Sequence, residues 1–321
     1  MRTEYFELEG FGGARLPAVL WMPDGATESV LQITHGMTEH IGRYEAFARE
    51  LTARGVAVAG FDLRGHGKNS GNPDVASLGE GGWEASLQDM HLCFEWLGRR
   101  FPGAPRRMLG FSLGSFLLRE YLGKWPEGVD GAIIMGTGAQ PGWLLTIMIA
   151  IVRGQIKKGG FENTTDLVRK LSFGTYNEKF KPNRTHSDWL CADDEQLDRY
   201  IADPLCRRDI SSGLFCQLLE AMKRTGARNA CAAWNRDMPV LLLSGQADPV
   251  GDGGRGVLAV KKQLEAAGMK DVSLMLLPGA RHIVLCEERS GAADKAREII
   301  CGWLTGVFWR KGSRRPSEGS A

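Results

Sequence analysis

The chain has 321 residues, of which 43% are hydrophobic and 24% charged, so wholly disordered, collagen-like and coiled-coil chains are excluded. Its 40 basic and 38 acidic residues leave a net charge of +2, which lacks the strongly basic character that a nucleic-acid-binding surface needs. The longest near-apolar run, residues 143–152, is too short to span a bilayer, for which about 20 residues are required.

Strand and helix signals alternate along two parts of the chain. Short apolar segments predict strands, and segments with helical periodicity lie between most of them. Because such alternation produces parallel sheets with helices on both faces, we expect an α/β protein with a mostly parallel, eight-stranded sheet. The predicted strands are residues 4–8, 16–22, 29–34, 56–61, 107–111, 131–135, 239–244 and 272–277. The predicted helices are residues 43–54, 83–100, 113–124, 256–267 and 290–308.

The alternation stops in the middle of the chain, where helix-like pieces and polar turns replace buried strands. We therefore predict a core made of residues 1–139 and 236–309, interrupted by a helical cap, or lid, of residues 140–235. The basic tail, residues 310–321, is predicted to be disordered. Two readings of the apolar run in the cap stay open, since it could pack against the core or contact a membrane surface transiently.

The pentapeptide around Ser112 carries the strongest chemical signal. Gly110 and Gly114 flank the serine in a G-x-S-x-G pattern, with a predicted strand before it and a predicted helix after it. This context is typical of a nucleophile elbow, in which a sharp turn exposes the serine hydroxyl. A serine hydroxyl is a poor nucleophile near neutral pH, so the prediction requires a base and an acid elsewhere in the chain.

The chain order of a hydrolase of this kind is serine, then acid, then histidine. Only His186 and His282 follow the serine, and His282 is preferred because it comes directly after the last predicted strand. Asp248 follows the preceding strand and is the predicted acid, with Asp252 as a close competitor. The acid would orient the imidazole and stabilise its charged form.

Acyl transfer also needs hydrogen-bond donors for a developing oxyanion. The backbone N–H of Leu113, next to the serine, is one candidate, and the N–H of Met37 in the loop after the third strand is the second. The neighbouring residues His35, Gly36 and Phe111 are candidates for the substrate pocket.

Several separated segments resemble the monoacylglycerol lipase and lysophospholipase-like branch of the α/β hydrolases. They read HGMTEHIGRY at residues 35–44, DLRGHG at 62–67, WL at 189–190, YIADPLC at 200–206, SGQADPV at 244–250 and ARH at 280–282. The resemblance covers roughly residues 15–305. It implies the α/β-hydrolase fold with a helical cap over an acyl pocket. It also implies a Ser-Asp-His serine hydrolase of carboxylic esters, acting on monoacylglycerols or lysophospholipids. Residues 140–181 do not match closely, so the substrate is the least determined part of this expectation.

Two other functions remain open on the same scaffold. A peptidase or a thioesterase would use the same triad, and a peptidase that grips an amine would need an acidic group in the cap. Residues 193–195 are the only dense acidic cluster there, and they resemble a solvated turn. A non-catalytic binding module would normally lack a triad member, and none is missing.

Cofactor, compartment and partners follow from weaker signals. His35, His40 and His66 have no zinc-ligand spacing, and the GDGGRG run at 251–256 lacks the context of a dinucleotide site, so we expect no metal and no cofactor. Seven irregularly spaced cysteines and the lack of a secretion signal predict reduced thiols and a cytoplasmic protein. The expected partner is a small ester or lipid substrate, and the sequence does not indicate an oligomeric state.

Overall fold

An eight-stranded sheet forms the centre of the protein, as seen in a computed structural model that describes residues 1–206 and 209–306. The strand order is β1-β2-β4-β3-β6-β7-β9-β10, and all neighbours from β4 to β10 are parallel, while β2 is antiparallel to both β1 and β4. The predicted fold class is confirmed. The strands are β1 Arg2–Glu9, β2 Arg15–Met22, β3 Ser29–Thr34, β4 Val56–Phe61, β5 Val75–Ala76, β6 Arg106–Phe111, β7 Ala132–Met135, β8 Asp209–Ile210, β9 Val240–Gly245 and β10 Val272–Leu277.

The central strands are mostly apolar because both faces of the sheet are covered, although β3 also contains Ser29, Gln32 and Thr34. Every residue of β3 and β4 is buried. Side chains alternate between the faces of a strand, so Val30 joins one core while Leu31 and Ile33 join the other. A short, mostly apolar segment was therefore the correct signal for these strands.

Helices cover both faces of the sheet. Side chains of α2, α3 and α8 belong to one hydrophobic core and those of α1 and α9 to the other. The first predicted helix begins as a 3₁₀ turn, Ile41–Tyr44, before its α-helical part. The helices of the described chain are α1 Glu45–Thr52, α2 Gly82–Arg100, α3 Leu113–Lys124, α4 Gly142–Gly159, α5 Asp166–Arg169, α6 Asp194–Ala202, α7 Ser212–Thr225, α8 Arg255–Ala266 and α9 Ala292–Leu304.

Helices α4 to α7 lie in the stretch that the sequence assigned to a cap, here called the cap segment (residues 140–206 and 209–235). Helix α7 packs against both α4 and α3, so it connects α4 of the cap segment with α3 of the core. The segment also contains strand β8, which pairs in parallel with β5 and was not anticipated. The division of the chain into a core and a separate cap stays a prediction.

Helix α4 has two apolar faces. Leu145, Ile149 and Val152 are buried, whereas Trp143 and Ile147 are 68% and 51% exposed. One face of the helix therefore packs inside the protein, as the first reading expects, and contact of the exposed face with a membrane stays a prediction. Within the described residues, no helix is both long and apolar enough to cross a membrane.

Two remaining expectations concern the cysteines and the tail. All seven cysteines are free thiols, six of them buried and Cys286 half-buried. The tail predicted to be disordered, residues 310–321, lies outside the described residues.

Candidate active site

Ser112 lies on a strained turn between β6 and α3. Its φ of 51° is positive, a backbone conformation that residues other than glycine rarely adopt. A Cβ on Gly114 would lie 2.1 Å from the carbonyl oxygen of Thr34, and a Cβ on Gly110 would lie 2.3 Å from that of Gly114. Both glycines are therefore required by close backbone packing, as the elbow pattern predicts.

The structure brings Ser112, His282 and Asp248 into one hydrogen-bonded chain. His282 Nε2 lies 2.9 Å from Ser112 Oγ, and His282 Nδ1 lies 2.9 Å from Asp248 Oδ2. A carboxylate can only accept, so Nδ1 carries the proton and donates it to Asp248, while Nε2 accepts from the serine hydroxyl. The imidazole is thus in the tautomer that a general base toward Ser112 needs.

Asp248 is held by donors from its own strand end. Ser244 Oγ donates to Asp248 Oδ2 at 3.2 Å, and the N–H of Val250 donates to Oδ1 at 2.9 Å. The competing acid, Asp252, forms an ion pair with Arg255 at 2.9 Å and does not reach the imidazole. Of the two acids that the sequence offered, the structure places Asp248 in contact with His282.

Two aromatic rings contact the imidazole of His282. The ring centroid of Phe111 lies 4.9 Å from it, and that of Trp189, in the cap segment, lies 5.1 Å away. Tyr176 packs on Trp189, and burial, together with the nearby Asp248 carboxylate, raises the pKa of Tyr176 to about 12. The sequence did not assign Trp189 or Tyr176 a place at the site. Both belong to the predicted cap, and the sequence does not show which aromatic residues of the cap face the core.

The two predicted oxyanion donors lie at the same site. Met37 lines a cavity together with Ser112, and Leu113 is the first residue of α3. Within residues 1–206 and 209–306, neither the N–H of Met37 nor that of Leu113 donates to a protein acceptor. Both N–H groups therefore stay candidates for binding a substrate oxygen.

Of the three predicted pocket residues, only Phe111 lines this cavity. His35 Nε2 accepts from the N–H of Leu63 at 3.0 Å, and its Nδ1 donates to the carbonyl of Gly36 at 2.7 Å. Burial lowers the pKa of His35, which keeps the ring neutral. His35 and Gly36 thus brace the loop and do not line the cavity, because the imidazole is turned toward the end of β4.

The cavity beside Ser112 has a volume of about 450 Å³ and is mostly apolar. Among its described lining residues, Glu39 is the only carboxylate. Its oxygens already accept from the N–H of Gly36, the hydroxyl of Tyr44 and the guanidinium of Arg43. The cavity therefore offers mostly apolar surface, some polar side chains such as Gln140 and His186, and a carboxylate that is already engaged. Its apolar lining includes Met37, Phe111, Phe116, Leu144, Leu145, Met148, Leu171, Phe173, Phe215, Leu218, Leu219, Met222 and Ile283.

The acidic cluster of the cap segment lies elsewhere. Asp193 caps the N-terminus of α6 through the N–H groups of Glu195 and Gln196. Asp194 pairs with Arg184, and Glu195 pairs with a residue one turn along α6. None of the three acids, residues 193–195, lines the cavity.

One group of side chains could in principle hold a metal ion. His40, Asp203 and Cys206 place their ligand atoms within 4.8 Å of one another. His40 Nε2 is 2.9 Å from Asp203 Oδ2, and burial raises the pKa of the Cys206 thiol, which disfavours the thiolate that a metal needs. The group is better described as a contact between the loop after β3 and the end of α6.

Comparison with known proteins gives a consistent picture. Residues 25–289 match the Hydrolase_4 family model, described as serine aminopeptidase, S33. The chain is 24% identical to monoacylglycerol lipase from Mycolicibacterium smegmatis, over 89% of this chain and 92% of the relative. It is 26% identical to human monoglyceride lipase, over 82% of this chain and 78% of the relative.

Solved structures resemble most of the chain. A thermostable carboxyl esterase from Bacillus coagulans, in complex with glycerol, has a TM-score of 0.86 at 24% identity and covers 96% of this chain and 99% of its own. A lipase in its open form has a TM-score of 0.81 at 25% identity, covering 92% of this chain and 97% of its own. Since the family model spans most of the sequence, the chain belongs to the Hydrolase_4 family, in the esterase and lipase group of the α/β-hydrolase fold.

Proposed function

We propose that the protein is a serine hydrolase that cleaves carboxylic esters of the monoacylglycerol or lysophospholipid type. The observation that carries the proposal is the hydrogen-bonded series Ser112–His282–Asp248 beside a mostly apolar cavity of about 450 Å³. An apolar cavity of this size suits an acyl chain, and the relay suits acyl transfer. The names of the relatives, monoacylglycerol and monoglyceride lipases, support the same substrate class.

In the proposed mechanism, Ser112 Oγ attacks the ester carbonyl while His282 Nε2 takes its proton. Asp248 stabilises the imidazolium that forms, and the N–H groups of Met37 and Leu113 bind the oxyanion. His282 then returns the proton to the leaving alcohol, which gives an acyl-enzyme on Ser112. Water, activated by the same imidazole, hydrolyses this intermediate and releases the carboxylic acid.

A peptidase is the second candidate, favoured by the description of the family model. An aminopeptidase must bind the substrate ammonium, for which a carboxylate is the usual partner. The one carboxylate among the described cavity residues, Glu39, already accepts three donors, and residues 193–195 do not reach the cavity. These contacts favour a neutral ester over an aminoacyl substrate. A thioesterase would use the same triad, so acyl thioesters are included in the substrate panel below.

We further propose that helix α4 contacts lipid surfaces. Trp143 and Ile147 are exposed on its outer face, while its inner face contributes Leu144 and Met148 to the cavity. Two exposed lysines, residues 157 and 158, lie in its last turn. Exposed apolar residues beside basic ones are typical of helices that lie on membrane surfaces. Such contact would bring a lipid substrate to the cavity directly.

The test is an ester panel with an active-site variant. The wild type should hydrolyse p-nitrophenyl esters of long acyl chains and monoacylglycerols faster than aminoacyl-naphthylamides or acyl thioesters. Comparing the rates on monoacylglycerols and on lysophospholipids shows which of these two lipid classes is preferred. Ser112→Ala should lower turnover on the order of 10³-fold or more. A fluorophosphonate should label the wild type and not Ser112→Ala. Turnover retained by Ser112→Ala would reject the mechanism, and a wild type inert toward every substrate would indicate a binding module.

A further inference from the structure

Thr38 has a backbone conformation that is unusual for its side chain. Its φ is 62°, and the other residues of the described chain with a positive φ, apart from glycines, are Ser112 and Asp252. A β-branched residue in this region is a true outlier that costs of the order of 1–3 kcal/mol and persists only when its surroundings impose it. Thr38 directly follows Met37, the proposed oxyanion donor, so the strain lies next to the reaction centre.

A single side chain from the cap segment holds Thr38. Thr38 Oγ1 donates to the carbonyl of Met37 at 2.6 Å, so it must accept from the hydroxyl of Tyr200, which is 2.7 Å away. The same hydroxyl is 3.3 Å from the carbonyl oxygen of Thr38. Tyr200 thus donates its proton to both oxygens of the strained residue, and burial raises its pKa, which keeps that proton in place.

The peptide on the other side of Met37 is held by the core. The N–H of Gly36 donates to Glu39 Oε1 at 2.7 Å, and Glu39 also accepts from Arg43. The guanidinium of Arg43 lies 4.9 Å from the ring centroid of Tyr200. The backbone that carries the Met37 N–H is therefore fixed on both sides. Glu39 holds Gly36, which precedes Met37, and Tyr200 holds Thr38, which follows it.

We propose that Tyr200 is a positioning residue whose hydroxyl holds Thr38 in the left-handed conformation that keeps the Met37 N–H available to the oxyanion. Because Tyr200 belongs to α6, the oxyanion hole would be complete only while α6 is seated on the loop of residues 35–40. Without the hydroxyl, Thr38 would relax to a negative φ and turn its peptide bonds away. The position of the cap segment would thus control catalytic competence as well as access.

A double-mutant cycle tests this proposal, whose kinetic readout rests on the proposed function. Tyr200→Phe keeps the ring and removes only the hydroxyl, and Thr38→Gly removes the cost of a positive φ. We expect Tyr200→Phe to slow fluorophosphonate labelling and ester kcat roughly tenfold in the wild type, within the range that the strain of Thr38 allows. In the Thr38→Gly background the same change should cost less than about twofold, since glycine needs no support at this conformation.

The matched control is Tyr176→Phe, a second tyrosine of the cavity, which has no hydrogen bond to residues 35–40. Whatever its effect, that effect should be equal in the two backgrounds. An equal loss for Tyr200→Phe in both backgrounds would mean that its hydroxyl contacts substrate, and would overturn the proposal. If Thr38→Gly does not fold, Thr38→Asn serves instead, because asparagine also tolerates a positive φ.

A crystal structure of Tyr200→Phe gives a readout that does not depend on activity. Thr38 should have a negative φ in that variant, and a positive φ that persists without the hydroxyl would overturn the proposal whatever the kinetics. If the wild type reacts with neither esters nor the fluorophosphonate, the proposed function fails, and this structure alone decides whether Tyr200 holds Thr38.

Discussion

The turn around Ser112 and the cap segment contribute to the same cavity in different ways. The turn is local, since strand β6, the serine and helix α3 follow one another within residues 106–124. The cap segment contributes Tyr176, Trp189 and Tyr200, which are distant from Ser112 in the sequence and lie near it only in the folded protein. The proposed nucleophile was therefore visible as a motif, whereas the side chains that surround the imidazole of His282 and the loop of residues 35–40 were not.

This difference separates two kinds of constraint. Next to Ser112 the backbone leaves no room for a side chain at Gly114, because a Cβ there would overlap the carbonyl oxygen of Thr34. In the cap segment the requirement is for apolar volume and a few hydrogen bonds, which many sequences can satisfy. The core should thus determine whether chemistry occurs, and the cap segment should determine which substrate is used and when.

The largest expected effect comes from the acid of the core. Asp248→Asn should lower kcat about 10⁴-fold, because an amide neither stabilises the imidazolium nor enforces the Nδ1–H tautomer. Asp252→Asn is the matched control, since this acid forms an ion pair in a turn and should change kcat by less than about twofold. Steady-state kinetics on a p-nitrophenyl ester measures both. If Asp252→Asn and not Asp248→Asn caused the large loss of kcat, Asp252 would be the acid and the assignment of Asp248 would be wrong.

A smaller effect distinguishes two glycines of the same helix. Gly114→Ala should lower the free energy of unfolding by about 3 kcal/mol, because its Cβ would lie 2.1 Å from a backbone oxygen. Gly123→Ala places its Cβ 3.6 Å from the carbonyl oxygen of Ala230, an ordinary contact, and should raise stability by about 0.5–1 kcal/mol. Urea denaturation followed by circular dichroism compares the two. Equal stabilities would contradict the close packing described for the turn.

The smallest effect concerns the outer face of α4. Trp143→Ser combined with Ile147→Ser should weaken binding to anionic phospholipid vesicles roughly tenfold, because burial of a large apolar side chain is worth about 1.5–3 kcal/mol. Hydrolysis of a short, water-soluble ester should stay the same. Leu92→Ser, on the exposed side of α2, is the control and should leave vesicle binding unchanged. Co-sedimentation measures all three proteins, and equal binding by them would remove α4 from the lipid contact.

The agreement between sequence and structure depends on the kind of signal. Every strand of the main sheet was predicted, and the central strands gave the clearest signal because strands buried on both faces are mostly apolar. The pair β5 and β8 was missed because each strand has two residues and no periodicity. His35 was expected in the pocket and instead donates to Gly36 in its own loop and accepts from Leu63, which follows β4. Nothing in the spacing of residues 35–40 shows which way that ring turns.

The sequence by itself determined the strand order in the chain, the sharp turn at Ser112 and the candidates for acid and base. These depend on local sterics and on side chains that follow strand ends, so neighbouring residues reveal them. The tertiary structure alone decided that Asp248 and not Asp252 contacts His282, that Trp189 packs on the imidazole and that Tyr200 reaches Thr38. Those contacts join residues distant in the chain. The parallel pairing of β9 and β10 brings Asp248 and His282 together in the core, whereas the packing of the cap segment on the core brings Trp189 and Tyr200 to their partners.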